Sequence, residues 1–257
     1  MALPMKKIRI NEAKKSYNTK SIQKKAPDYD LTTGKILKEL SQKGLRAITQ
    51  IYNTILQTEY FPCQWKVGQI IMIVNPGKNP NDITSYGPIS LLPVLSKILE
   101  KIFLKRLTLI TDESKWIPTH QFEFRKEHRT IQQAYRLVYK INDDLESTSY
   151  SSAAFIDKSQ AFDNLWHMCL LYKFKRAFPH PEYTLPKSYL KGRTFQLRYQ
   201  EEYTKLYTIQ SGVPQGSILW PILYSIFTAV NTDSNFFFVP CILITSRFRS
   251  PTNALFY

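Results

Sequence analysis

The hexapeptide SAAFID, residues 152–157, is predicted to be a buried strand that ends in the carboxylate of Asp157. A carboxylate at the end of a hydrophobic strand is costly unless it is hydrogen-bonded or holds a cation. Residues 161–175, which follow, have the apolar spacing of a helix. Asp157 is therefore a cation ligand, or else either Asp157 or Ser159 is an ordinary cap of that helix.

A second segment, Ser211–Ser217 (SGVPQGS), has two glycines and a proline around Gln215 and precedes an apolar helix expected at 219–230. Glycines let a backbone come close to a ligand, so the base and sugar of a nucleotide fit on such a surface. An ordinary strand-to-helix turn has the same composition. The segment alone leaves both interpretations open.

Hydrophobic spacing predicts further elements along the chain. Helices are expected around residues 36–45 and at 45–57, 91–109 and 130–145, a strand at 69–74 and a hairpin at 195–207. Residues 86–98 are predicted to be a turn that leads into the third of these helices. Because helices and strands come in blocks rather than in strict alternation, the fold class is predicted to be α+β.

Composition narrows the class of protein. The 257 residues are 43% hydrophobic and carry a formal net charge of +15, which excludes a fully disordered chain and predicts attraction to nucleic acid or an anionic surface. Three widely spaced cysteines indicate neither a disulfide framework nor a zinc cluster, and suggest a reducing compartment. The longest apolar run, Phe236–Ile244, is interrupted by Pro240 and is too short for a bilayer, so we expect no membrane partner.

Four ordered stretches match one known family. They are WKVGQIIMIVNPGKNPNDITSYGPISLLPVLSKILEKIFLKRL (65–107), HQFEFRKEH (120–128), AAFIDKSQAFDNLWHMCLLYKFK (153–175) and SGVPQGSILWPILYSIFTA (211–229). With them the chain resembles the reverse transcriptase of non-long-terminal-repeat retrotransposons, especially jockey-like elements of arthropods. The resemblance covers roughly residues 30–230, and four blocks in order are far more specific than one short motif.

The resemblance implies a right-hand polymerase fold with fingers and a partial palm, the thumb being absent. We expect a basic, disordered arm at 1–25, fingers and the start of the palm at 26–150, palm at 151–230, and a divergent tail at 231–257. The implied activity is RNA-directed DNA polymerisation, with an RNA template, a DNA primer and dNTPs as partners. Two Mg²⁺ ions would activate the primer hydroxyl and stabilise the leaving pyrophosphate. The resemblance also implies that the protein is found in the cytoplasm and the nucleus.

The resemblance also carries site residues, each at a matching motif position. Asp157 matches the first metal-binding aspartate, and the carbonyl of Lys158 would complete its ligand set. Phe162 matches the aromatic gate under the sugar, and Gln215 and Gly216 match the turn that packs on the incoming nucleotide.

Two basic residues match positions in the fingers that meet template or triphosphate. They are Lys78, in PGK, and Arg125, in FEFRKEH. For both, an exposed surface charge is the equal alternative.

The chain departs from the family at the catalytic hairpin. The family has Ala-Asp-Asp on a hairpin beyond the FTA stretch, whereas this chain has no Ala-Asp-Asp and no acidic residue after Asp233. Asp233 lies too soon after the preceding helix to substitute. Losing ligands that neutralise two dications costs many powers of ten in rate, so we expect this copy to be inactive.

Other family positions are also altered. Gly87 stands where the family has Arg, Asn75 where it has Lys, and Trp220 where it has Gly. The indole of Trp220 would need about 200 Å² of surface that a glycine does not occupy.

Three functional hypotheses remain. The chain is an inactive reverse transcriptase fragment, a non-catalytic remnant that binds RNA or DNA through phosphate contacts, or an unstable product of a decayed reading frame. The run FFFVPCILI at 236–244, if it has no sheet partner, favours aggregation and so the last hypothesis.

Overall fold

The computed structural model describes residues 5–19, 22, 28–119, 121–122, 124–125, 127–154, 163–229, 236–239 and 242–248. In these residues helices and strands mix in one α+β architecture, as the sequence predicted. The α-helices are α1 Ile10–Tyr17, α2 Gly34–Lys38, α3 Gln42–Thr58, α4 Val94–Ser114, α5 Thr130–Glu146, α6 His167–Ala177, α7 His180–Leu190 and α8 Trp220–Thr228. The strands are β1 Val67–Val74, β2 Tyr86–Leu91, β3 Tyr150–Ala154, β4 Thr194–Tyr199, β5 Glu202–Tyr203, β6 Tyr207–Thr208, β7 Phe236–Val239 and β8 Ile242–Phe248.

A five-stranded sheet has the order β2-β1-β4-β5, with β6 also paired to β4. Strand β1 is antiparallel to β2, with Ile71 opposite Ile89, and parallel to β4, with Gln69 opposite Gln196. Strand β2 lies where the sequence predicted a turn. Its residues Gly87 and Pro88 suit an edge strand, which has a neighbour on one side only.

A second sheet has the order β3-β8-β7, and both of its pairings are antiparallel. Ala153 lies opposite Ile244, and Ile244 lies opposite Phe237 on its other side. Strands β7 and β8 therefore have sheet partners. We expected the FFFVPCILI run to favour aggregation only if it had none, and that condition is not met.

Helix α4 forms the centre of the hydrophobic core. Its fully buried apolar residues recur at helical spacing: Val94, Ile98, Leu99, Ile102, Phe103 and Leu107. Helices α1 and α8 pack on α4. Around it, the ring of Phe61 meets that of Tyr189 edge-on at 4.9 Å between centroids, which ties α7 to the same core.

The structure differs from the predicted disordered arm, residues 1–25, over the part of it that is described, residues 5–19 and 22. Residues 10–17 form α1, which buries Ala13 and Tyr17 against α3 and α4. Asn53 of α3 holds the backbone of Ile8 at both its N–H (2.6 Å) and its carbonyl (3.1 Å). The composition misled because the apolar stripe of this segment is narrow and its many lysines face outward.

Helix α7 was not predicted, because prolines disfavour helices. Pro181 lies in the first turn, where no backbone donor is needed, and Pro186 is buried inside the helix. Helix α6 begins at His167 rather than at residue 161. None of the described helices has both the length and the hydropathy that crossing a bilayer requires.

Candidate active site

Residues Ser211–Ser217 form a tight segment, here called the glycine turn. Its first half is bound to the residues that precede α6. The backbone N–H of Gly212 donates to the carbonyl of Leu165 at 2.8 Å, and Ser211 Oγ donates to the carbonyl of Asp163 at 3.0 Å. His167 Nε2 lies 2.6 Å from the carbonyl oxygen of Gly212. Because the turn uses these carbonyls, residues 163–166 stay outside the helix.

The second half of the glycine turn is pressed against β2. The N–H of Ser90 donates to the carbonyl of Gln215 at 2.9 Å. Gly216 has a φ of +122°, and a Cβ at this position would lie 2.5 Å from the carbonyl oxygen of Ser90. Glycine is therefore required here by both conformation and space.

A buried carboxylate supports the turn from beneath. Glu100 of α4 is 1% exposed; its Oε1 accepts from Ser96 Oγ at 2.9 Å, and its Oε2 accepts from the N–H of Ile218 at 2.7 Å. Hydrogen bonds to a charged acceptor are stronger than neutral ones, so this contact holds the end of the turn firmly.

A buried hydroxyl pair completes the support. Tyr189 donates to Ser217 Oγ at 2.9 Å, and that oxygen also accepts from the N–H of Leu219 at 3.0 Å. Burial raises the pKa of Tyr189 above its usual range, so the hydroxyl stays protonated as a donor. No sequence motif marks Glu100 or Tyr189 as a site residue. The available signal was a glutamate on the apolar face of α4.

A cleft of about 350 Å³ opens beside the glycine turn. It is lined by Pro214 and Gln215 of the turn, by Ile70 and Ser90 of the five-stranded sheet, and by Asp163. This volume is within the range of small-molecule sites, and the lining combines apolar surface with a few polar groups. The cleft can therefore hold a ligand with an apolar ring and polar edges.

The predicted site residues are only partly described by the structure. Gln215 lines the cleft and Gly216 abuts β2, so the structure brings these two together with Ser90. Asp157, Lys158 and Phe162 lie outside the described residues.

The two basic residues lie on loops. Lys78 is exposed in the turn after β1, where its backbone N–H donates to the carbonyl of Asn75 at 3.1 Å. Arg125 Nη1 donates to the carbonyls of Pro118 at 3.0 Å and Gln121 at 3.4 Å. The guanidinium thus binds its own loop in this structure.

Trp220 has the room that we expected it to need. Its indole meets the ring of Phe124 edge-on, with centroids 4.8 Å apart. The same loop is anchored by Gln121, whose Nε2 donates to the carbonyl of Ser225 at 3.1 Å and to Thr228 Oγ1 at 3.0 Å. The loop around Phe124 therefore packs on α8 rather than being displaced by the indole.

The described side chains do not fit a two-metal site. Strand β8 pairs with β3, the strand that leads towards Asp157, yet neither β7 (FFFV) nor β8 (ILITSRF) contains an acidic residue. Among the residues that the structure describes, no group of three or more His, Cys, Asp or Glu is placed to hold a metal ion. Mg²⁺ needs hard oxygen ligands, which this part of the chain does not assemble.

Comparisons with known proteins agree with the motifs. The family model for reverse transcriptase (RNA-dependent DNA polymerase) matches residues 76–233, more than half of the chain. The chain is 42% identical over 229 residues to two Drosophila melanogaster proteins, a probable RNA-directed DNA polymerase from transposon BS and the RNA-directed DNA polymerase from mobile element jockey. These matches cover 89% of this chain and 25% of each relative, so the chain spans about a quarter of their length.

A probable RNA-directed DNA polymerase from transposon X-element of the same organism is 40% identical over 204 residues, 79% of this chain and 22% of the relative. The family match and these identities confirm the resemblance to jockey-like elements, and the chain belongs to the reverse transcriptase (RNA-dependent DNA polymerase) family.

Proposed function

We propose that this chain is a fingers-and-palm fragment of a retrotransposon reverse transcriptase that engages primed RNA and a nucleotide but does not complete nucleotidyl transfer. The fingers would be residues 26–150 and the palm 151–230. The relatives' names supply the class of template and product, RNA and DNA. Action on nuclear DNA after assembly with RNA in the cytoplasm is part of the same proposal.

The proposed loss of nucleotidyl transfer rests on one observation. Strand β8 of the β7–β8 hairpin pairs with β3, and the sequences of β7 and β8 contain apolar, neutral polar and basic residues but no carboxylate. In the two-metal mechanism, carboxylates must neutralise two dications while the phosphoryl group is transferred. Asp157 alone would leave that set incomplete, and the rate would fall by several powers of ten.

The nucleotide-binding part of the proposal rests on the glycine turn. Gln215 lines the cleft. Because Gly216 has no side chain, the backbone of the turn can lie directly against β2. We assign the base and sugar of a dNTP to this cleft, with Phe162 as the gate below the sugar. Lys78 and Arg125 would contact the triphosphate or the template.

Primer extension tests the chemistry. The purified chain is incubated with labelled dNTP, a DNA-primed RNA template and either Mg²⁺ or Mn²⁺, beside the variant Asp157→Ala and the full-length jockey polymerase. We expect both versions of this chain to match the no-enzyme background, while jockey extends the primer. Incorporation that disappears in Asp157→Ala would overturn the proposed inactivity.

The net charge of +15 favours a second candidate, binding of RNA or DNA as the sole function. Contacts to phosphates release counterions, so affinity should fall steeply with salt, with a slope of about 0.7 per contacted phosphate for single strands. Anisotropy titrations from 50 to 300 mM salt measure that slope. A chain that binds without saturation, or without salt dependence, would contradict this function and indicate an aggregate.

A further inference from the structure

The N-terminal segment and α3 enclose a second cleft, of about 670 Å³, which shares no lining residue with the cleft at the glycine turn. Its lining includes two arginines, Arg9 and Arg46, and the side-chain amides of Asn11, Gln42, Gln50 and Asn53. We call it the basic cleft. We propose that the basic cleft binds the phosphodiester backbone of single-stranded nucleic acid. This inference rests on the proposed function, because it assumes that the chain binds nucleic acid at all.

The cleft is held in shape by a specific contact. Asn53 bonds both backbone groups of Ile8, which fixes the next residue, Arg9, on the cleft wall formed by the N-terminal segment. Arg46 lines the cleft from α3. Arginine binds phosphate through paired N–H donors, so each of these two lining residues supplies a group suited to a phosphate.

The charge around the cleft is unbalanced. Within the described part of the chain, no ion pair joins Arg9 or Arg46 to a carboxylate. The two elements that line the cleft also carry exposed lysines: Lys6, Lys7, Lys14, Lys15 and Lys43. The only carboxylate of residues 5–19, that of Glu12, acts on Arg106 of α4, where it opposes the lowering of the Arg106 pKa by burial. The surface therefore presents a positive potential suited to a polyanion.

A nucleic acid fits this surface better than an anionic membrane does. Membrane-binding helices insert an apolar face between lipids. Here Ile8, Ala13 and Tyr17 are buried in the protein core, so this segment has no apolar face left for acyl chains. The side-chain amides of Asn11, Gln42 and Gln50 can offer hydrogen bonds to phosphate and sugar oxygens, which nucleic acids present repeatedly.

Binding of a labelled 20-nucleotide RNA tests the site. The variant Arg9→Gln/Arg46→Gln is compared with Lys175→Gln/Arg176→Gln on α6, which removes the same charge from exposed positions that do not line the cleft. We expect the first variant to bind roughly ten-fold more weakly at 100 mM salt, with its salt slope reduced by about 1–2. The control should lose less than about two-fold. Circular dichroism checks that both variants fold.

Further arms identify the occupant. DNA of the same sequence tests whether the sugar matters, and phosphatidylserine vesicles test the membrane alternative. Crosslinks from 4-thiouridine RNA to peptides 5–19 and 42–53 would support the site directly. Equal RNA binding by wild type and Arg9→Gln/Arg46→Gln would overturn the site while leaving the proposed function intact, and stronger binding to vesicles than to RNA would overturn it in favour of a membrane. A wild-type chain that binds no RNA would overturn both proposals.

Discussion

The glycine turn and the β7–β8 hairpin are held in place in different ways. Four parts of the protein hold the turn: β2 touches Gly216, Glu100 binds Ile218, Tyr189 binds Ser217, and residues 163–167 bind Ser211 and Gly212. The hairpin is held by backbone pairing to β3, which any residue except proline can provide. Backbone pairing of this kind makes few demands on side-chain identity, whereas the packed turn tolerates little change.

The largest effect is expected from Gly216→Ala. The added Cβ would meet the carbonyl oxygen of Ser90 at 2.5 Å, and alanine disfavours a φ of +122°. Strain and overpacking together should lower the free energy of unfolding by about 4 kcal/mol.

Gly77→Ala is the matched control. Gly77 also has positive φ, +78°, but no atom of the described residues lies within 4 Å of the site of its Cβ, so about 1 kcal/mol is expected. Urea denaturation compares the two variants. Equal losses would show that the contact with β2 does not constrain the turn.

Ile244→Pro should break the hairpin without affecting the turn. Strand β8 is central in its sheet, and proline removes a donor from the ladder, at a local cost of about 3 kcal/mol. Hydrogen exchange should accelerate in peptides 150–154 and 236–239. Peptide 211–217 should keep its protection, as should every peptide in the control Ile244→Val. Loss of protection in the turn would show that the two regions unfold together.

Glu100→Ala tests the support below the turn. The part-buried N–H of Ile218 and the buried hydroxyl of Ser96 would both lose their acceptor, which should cost about 2–3 kcal/mol. Glu100→Gln keeps one acceptor oxygen and should lose about half as much. Thermal and chemical denaturation measure both. If the two variants were equally stable, the hydrogen bond to Ile218 would not be what holds the turn.

Tyr189→Phe should have the smallest effect, about 1 kcal/mol, through loss of the bond to Ser217. It also changes the pH dependence. An unfolded tyrosine ionises near pH 10, whereas the raised pKa keeps buried Tyr189 neutral. Ionisation therefore stabilises the unfolded chain, and the contribution of Tyr189 to the free energy of unfolding is lost as pH rises through 10 and beyond. Stability should therefore fall less steeply between pH 9 and 11 in Tyr189→Phe. An unchanged slope would contradict the raised pKa.

Local patterns predicted much of the fold. The periodic helices α3, α4, α5 and α8 and strand β1 lie within a few residues of where apolar spacing placed them. Strand β2 and helix α7 were not predicted. The pairing of an edge strand, and the burial of Pro186 inside a helix, both depend on residues that are distant in the sequence. In the cleft, the motif pointed to Gln215 and Gly216, but no pattern could reveal that Glu100 and Tyr189 support them.

The sequence alone determined the family, the α+β class and the absence of carboxylates after Asp233, because each depends only on residue order and spacing. Tertiary structure decided the rest. It placed residues 10–17 of the basic N-terminal stretch in a packed helix, paired β8 with β3, and made glycine obligatory at position 216. These outcomes depend on which distant surfaces meet, since burial and backbone pairing join segments that sequence periodicity treats separately.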